Sequence, residues 1–239
     1  MNQIEQKLAE LHLNGMSKRW KSLIEMRQHH ELTFSEGLEL LLQSELEERK
    51  NNRFDRLTIK AKFRYQASVE EFSYAADRGL NKDQISRLVM GDYIKNGESV
   101  LITGATGCGK SFVASGLGHH ACAQGHKVHY YNFLKLTKTT KLARLDGTIH
   151  KLLNTISKQD LLILDDFGLT HLDNQQQMDL MEIIEDRHGR KATIIASQMP
   201  VASWYEIIGE ATLADAILDR LVHSSHRLEL KGNSLRKNM

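Results

Sequence analysis

The 239-residue chain holds one proline, Pro200, and two cysteines, Cys108 and Cys122. Two thiols are too few for a disulfide framework, and free thiols suit a reducing cytoplasm, where the protein is expected to reside. The sequence lacks a signal-peptide pattern and any apolar run of the ~18 residues that a membrane span needs, so neither export nor a membrane role is expected. It also lacks low-complexity tracts and internal repeats. The formal net charge is only +2, so nucleic-acid contact must rest on local basic patches. What remains is ordinary: 41% hydrophobic and 26% charged residues, in a length that accommodates one large α/β domain and a smaller accessory one.

One stretch stands out against that background. An apolar strand, Val100-Leu101-Ile102-Thr103, runs into Gly104-Ala105-Thr106-Gly107-Cys108-Gly109-Lys110-Ser111, and Phe112 continues into a helix-compatible run. The pattern G-x-x-x-x-G-K-[ST] in strand–loop–helix context marks a phosphate-binding loop. Its glycines let backbone N–H groups turn toward an anion, and the helix that follows presents its positive end. Lys110 is expected to reach the β- and γ-phosphates and Ser111 to ligate Mg²⁺. Residues 104–112 are therefore candidates for binding ATP or GTP.

Downstream, Leu161-Leu162-Ile163-Leu164 ends in Asp165-Asp166. Two carboxylates at a buried strand end suit a metal shell held by the first, Asp165, and water polarised by the second, Asp166. Asp166 stands where glutamate is usual, one methylene short. A further strand, Thr193–Ala196, ends at Ser197-Gln198, where a side-chain amide is in position to bridge a γ-phosphate and a water. Read alone, Gln198, Arg220 and Arg236 are unremarkable, and a surface ion pair of Arg220 with Asp215 or Asp219 is the bland alternative. Short apolar segments alternating with helical ones (128–131 strand, 133–156 helical with a break at Gly147, 175–190 helix) predict a parallel sheet covered on both faces.

The first fifty residues read as three amphipathic helices. Ile4, Leu8 and Leu11 share one face before a break near Asn14-Gly15, Met16, Trp20, Leu23 and Ile24 share the next, and Thr33-Phe-Ser-Glu36 is a capping box for the third. Asn81 is the expected N-cap of a later helix carrying Ile85, Leu88 and Val89. Between Arg49 and Arg64 the composition turns basic: Arg49, Lys50, Arg53, Arg56, Lys60, Lys62 and Arg64 face a single acid, Asp55. This run fits either a grip on a phosphate backbone or a solvated helix joining two domains. The expected division is a helical domain with basic linker over 1–65 (linker 49–65) and a nucleotide-binding domain over 66–239. A second basic region carries Lys135, Lys138, Lys141 and Arg144 in steps of three, then Lys151, with Leu134, Leu142 and Leu145 expected to pack; these cations are further DNA-contact candidates, against a plain solvated surface.

Taken together, these residues resemble the IstB-like branch of AAA+ ATPases, which assist IstA-type transposases, with the DnaC replicative-helicase loader more distant. The resemblance is carried by the phosphate loop, Leu161–Leu169, Ala196–Gln198, Ala216–Leu221 and Gly232–Arg236, and in the N-terminal part by Leu32–Leu38 and Glu45–Arg53. It implies an AAA+ P-loop α/β fold preceded by a small all-helical domain. It implies ATP hydrolysis with Mg²⁺, with Gln198 as sensor 1, Arg220 as a finger acting on the adjacent subunit's ATP, and Arg236 as sensor 2. Only 19 residues follow Arg220, so the C-terminal helical lid is expected to be absent or vestigial. A homo-oligomer with shared sites follows, assembling on duplex DNA through the 49–65 and 133–158 regions and recruiting or stimulating a transposase. The competing readings are a helicase loader, a small-molecule P-loop kinase, and a non-hydrolysing ATP switch.

Overall fold

Residues 3–234 are described by the computed structural model, in which the chain divides into two units, Met1–Arg56 and Leu57–Met239. In the first, α1 (Gln3–Glu10) and α2 (Asn14–Glu25) precede the long α3 (Phe34–Ala61), whose last five residues fall in the second unit. The expected capping box forms: Thr33 N donates to Glu36 Oε2 at 2.8 Å, and Glu36 N to Thr33 Oγ1 at 3.3 Å. The expected helix break falls at residues 11–13, just before Asn14, and Gly15 itself is helical. It lies in the first turn of α2, where a Cβ would stand 2.3 Å from the Ser44 carbonyl oxygen. The Glu45 carboxylate caps that turn, accepting from Gly15 N at 2.8 Å and Met16 N at 3.2 Å. The glycine therefore serves close helix packing. The basic run is largely helical too: residues 49–61 continue α3.

The second unit opens with α4 (Lys82–Val89), capped by Asn81, whose side chain accepts from Asp83 N and Gln84 N, and with the short α5 (Asp92–Asn96). Then β1 (Ser99–Gly104), α6 (Lys110–Ala123) and β2 (Val128–Asn132) lead to the helix pair α7 (Phe133–Leu145) and α8 (Ile149–Ser157). The chain continues through β3 (Leu161–Phe167), α9 (Asn174–Arg187), β4 (Ala192–Ser197), α10 (Trp204–Ile208), α11 (Ala211–Val222) and β5 (Ser225–Leu230). All five strands are parallel, in the order β2-β3-β4-β1-β5.

Strand alternation sorts the core. Leu101, Leu162, Leu164 and Ile195 face one side, in a cluster with residues of α7 to α11 such as Phe133, Leu153, Ile183, Trp204 and Ile217. Ile163 lies on the other side, close to Gly118 of α6. One expectation needs correcting. On α7 the packed residues are Phe133, Leu136, Thr140 and Ala143, one helical face, whereas Leu142 and Leu145 lie about 100–200° round the helix and are 60% and 78% exposed. The edge strand β5, whose sequence Ser-His-Arg-Leu-Glu-Leu has only two inward apolar residues, escapes periodicity altogether. No helix among the described residues is long and apolar enough to cross a membrane.

Candidate nucleotide-binding site

Parallel strands bring their carboxyl ends to one edge, and the loop after β1 occupies its middle. Gly104, Gly107 and Gly109 have φ of 147°, 82° and 104°, so the loop's turns need residues without a Cβ. Gly109 is the N-cap of α6, which aims that helix's unpaired N–H groups at the loop's concavity. Lys110 is buried, with Nζ donating to the carbonyls of Gly104 and Ala105 at 2.8 Å each and 3.9 Å from Cys108 Sγ. Ser111 and Phe112 follow in the first turn of α6, half-buried, while Ala105 and Thr106 are exposed on the rim.

Beside the loop, β3 ends in a bulge. Leu164 pairs with Ile195 and Phe167 with Ser197, so Asp165 and Asp166 together oppose the single residue Ala196. Asp166 takes a left-handed φ of 58° there, a strained backbone of the kind that clusters at functional sites. Phe167 anchors the bulge from below, its ring 4.9 Å from Phe133 and 4.8 Å from Trp204, and its carbonyl accepts from Ser197 Oγ at 2.7 Å.

β2 supplies partners that sequence reasoning passed over. Its register sets Asn132 level with Asp165, and Asn132 Nδ2 donates to Asp166 Oδ2 at 2.8 Å. The Tyr130 hydroxyl donates to Asp165 Oδ2. Burial, and then the neighbouring Asp165 carboxylate, push the Tyr130 pKa far above its usual value, so that hydroxyl remains a donor. Asp165 is fully buried, and its Oδ1 has no hydrogen-bonding partner in the protein. A buried carboxylate oxygen left open next to a phosphate loop fits a hydrated divalent cation. Among the described residues no group of three His, Cys, Asp or Glu side chains is placed to cage a metal, so such an ion would draw its other oxygens from Ser111, nucleotide and water.

Gln198 follows β4 directly, and Thr106 Oγ1 donates to its Oε1 at 2.6 Å, so loop, acids and amide converge at the carboxyl ends of β1, β3 and β4. Arg220 lies elsewhere. It ends α11, which carries the chain back to the start of β5, and Ser99 N at the start of β1 donates to Ser224 O. Arg220 Nε is 2.5 Å from Glu185 Oε2, not paired with Asp215 or Asp219, and Arg220 O accepts from the His188 ring at 3.2 Å. The six residues of β1 separate that edge from the phosphate loop by roughly 17 Å. Arg236 lies outside the described residues.

Of the basic candidates, Arg49, Lys50, Arg53, Arg56 and Lys60 are exposed along α3. Lys135, Lys138 and Lys141 on α7 and Lys151 on α8 are exposed as well. Arg144 differs, because its guanidinium grips the buried Asp179 of α9, with Nε to Oδ1 at 2.9 Å. That pair walls a cleft of about 620 Å³ with Thr137, Thr140 and Lys141. Arg64, read with the basic run, is aimed at the acids: Nη1 donates to Asp166 Oδ2 at 3.0 Å.

A parallel sheet in this order, with a phosphate loop after β1, paired acids at the end of β3 and a polar amide after β4, defines a P-loop protein of the AAA+ class. The IstB-like ATP binding protein family matches residues 6–239, and the chain belongs to that family. It is 44% identical over 97% of its length to an insertion-sequence ATP-binding protein of Sinorhizobium fredii, covering 95% of that protein. An insertion sequence IS1162 ATP-binding protein of Pseudomonas fluorescens is 38% identical over 81% of this chain and 84% of its own. Among solved structures, the DnaC helicase loader superposes with a TM-score of 0.55 at 20% identity, covering 69% of this chain and 97% of that one. AMPPCP-bound DnaA from Aquifex aeolicus does so with 0.55 at 19%, covering 73% and 53%. At such identities the likeness is one of fold. The chain is thus an ATP-binding protein of the insertion-sequence type.

Proposed function

We propose that the protein hydrolyses ATP with Mg²⁺ in a homo-oligomer assembled on duplex DNA, and that this assembly recruits or stimulates a transposase. The observation that carries the reading is the division of the catalytic set. The loop, Asp165, Asp166 and Gln198 meet at the carboxyl end of the sheet, while Arg220 lies near the other end, a strand length of roughly 17 Å away, which supports a role for it toward a neighbour's ATP rather than its own. Ser111 and Asp165 would hold Mg²⁺, which would supply charge neutralisation at the phosphates. Lys110 leaves the Gly104 and Ala105 carbonyls for the phosphates. Asp166, oriented by Asn132, polarises the attacking water, and Gln198 bridges that water and the γ-phosphate. Arg236 is assigned the sensor 2 role from the resemblance.

The exposed lysines of α7 and α8 and the basic face of α3 supply phosphate contacts without base readout, so binding should weaken steeply with salt. The relatives' association with insertion sequences favours transposition over helicase loading. The test is sedimentation or mass photometry of the protein with duplex DNA and a slowly hydrolysed ATP analogue. Wild type should form discrete DNA-bound assemblies only with nucleotide, and Lys110→Ala should not. Equal assembly by Lys110→Ala would reject the reading, and retention of a replicative helicase in place of transposase in pulldowns would favour a loader.

A further inference from the structure

Arg64 stands three residues beyond α3, and its position is built by its neighbours. Lys62 takes a left-handed φ of 59°, turning the chain sharply at the end of the helix. Phe63 then seats its ring against α6 at Gly118, where a Cβ would come within 2.4 Å of it, and lies 4.1 Å from the His119 ring and 6.5 Å, edge-on, from Tyr130. With Phe63 fixed, the Arg64 guanidinium lies 5.5 Å from the Tyr65 ring and faces the end of β3. Nη1 is 3.0 Å from Asp166 Oδ2 and 3.6 Å from Asp165 Oδ2.

Two consecutive carboxylates, one fully buried, repel each other and lose hydration; a cation against both offsets that cost. Mg²⁺ recruited by Asp165 brings two charges to the same group and draws in a shell of oxygens. A guanidinium on the Oδ2 side and a hydrated divalent ion at the open Oδ1 of one carboxylate repel each other.

We infer that Arg64 is the resident cation of the metal site: it positions Asp165 and Asp166 before nucleotide arrives and yields its place to Mg²⁺, so that residues 62–66 rearrange on metal loading. The inference rests on the reading of Asp165 as the metal-site carboxylate. The strained Lys62 turn aids the departure, because that strain is held only while the segment is pinned. Loss of Arg64 removes a competitor for Mg²⁺ and keeps the Ser111 and Asp165 side chains, with Asp165 still held by the Tyr130 hydroxyl.

Binding of a fluorescent ATP analogue, titrated with Mg²⁺, reads this directly. Arg64→Gln should lower the Mg²⁺ concentration for half-maximal enhancement about fivefold, the factor expected for a partly exposed ion pair, and leave metal-free affinity unchanged. Arg64→Lys, which keeps the charge, should fall between the two. Hydrogen exchange in the peptide over residues 62–66 of wild type should quicken when Mg²⁺ and a non-hydrolysable analogue are added, and not with the analogue in EDTA. An unshifted Mg²⁺ midpoint in Arg64→Gln, or unchanged exchange in wild type, overturns the inference. If Asp165→Asn keeps the wild-type Mg²⁺ enhancement, the assignment of Asp165 to the metal fails instead, and the two failures are told apart.

Discussion

Thr106 and Gln198 are joined by a single hydrogen bond of 2.6 Å, from the rim of the phosphate loop to the residue after β4. The bond ties the Gln198 amide to the rim of the phosphate loop, and in the proposed mechanism that amide serves the γ-phosphate and the attacking water. Gln198→Ala should therefore lower kcat on the order of 10²-fold while changing nucleotide affinity little, because the amide's interactions arise at the reacting water. Steady-state ATP hydrolysis together with a direct binding measurement checks this, and a loss confined to affinity would contradict it.

Arg187 is a structural residue rather than a functional one. It is 1% exposed and donates to Thr193 Oγ1, Ile156 O, Gln159 O and Ala192 O, tying the end of α8 to α9 and to the start of β4. Arg187→Met leaves these buried acceptors unpaired and should cost about 3 kcal/mol or more in urea unfolding. Arg187→Lys should recover little, since an ammonium cannot fork to so many acceptors.

Asp160, at the turn between α8 and β3, gives the fold an acid-sensitive joint. Burial disfavours its carboxylate, but hydrogen bonds from Lys191 Nζ (2.6 Å) and Lys127 N (2.9 Å) outweigh that and hold its pKa below the ordinary value. A carboxylate depressed in the folded state binds fewer protons there than in the unfolded chain. Its contribution is thus complete above the unfolded pKa, near 4, and is lost as pH falls through the lower folded value. Lys191 is 36% exposed, so the contribution is at most about 1 kcal/mol. Thermal unfolding should show Asp160→Asn less stable than wild type at pH 7, with the gap closing below about pH 3.

The exposed lysines of α7 allow the proposed DNA contact to be tested apart from folding. Replacing Lys135, Lys138 and Lys141 with glutamine should reduce the slope of log K against log salt by about 2.7, roughly 0.9 per lost phosphate contact, and leave the urea midpoint unchanged. Arg144→Gln should behave differently: it frees the buried Asp179 and lowers stability.

Much of this site is legible in the sequence because it is local. Strand, loop and helix around Lys110 form one continuous segment, and Asp165, Asp166 and Gln198 each end an apolar run. What is hidden depends on residues far apart in the chain. Tyr130 and Asn132 reach the acids only through the register of β2 against β3, and Arg64 only because Phe63 finds Gly118. Charge-run reasoning groups Arg64 with Arg49 to Lys62, since nothing local marks which cation turns inward. Leu142 and Leu145 mislead for the opposite reason: they are apolar, but the packed face of α7 falls on Phe133, Leu136, Thr140 and Ala143. The bulge that gives Asp166 its left-handed backbone leaves no trace in composition.

Each ATP site is proposed to be completed by Arg220 of a neighbouring subunit. Arg220→Ala and Lys110→Ala proteins, each inactive alone, should be mixed over a range of ratios with duplex DNA and assayed for ATP hydrolysis. Sites pairing the intact loop of one variant with the intact arginine of the other should restore activity, greatest near equal proportions. Failure to restore hydrolysis at any ratio, with mixed oligomers shown to form, would contradict the account.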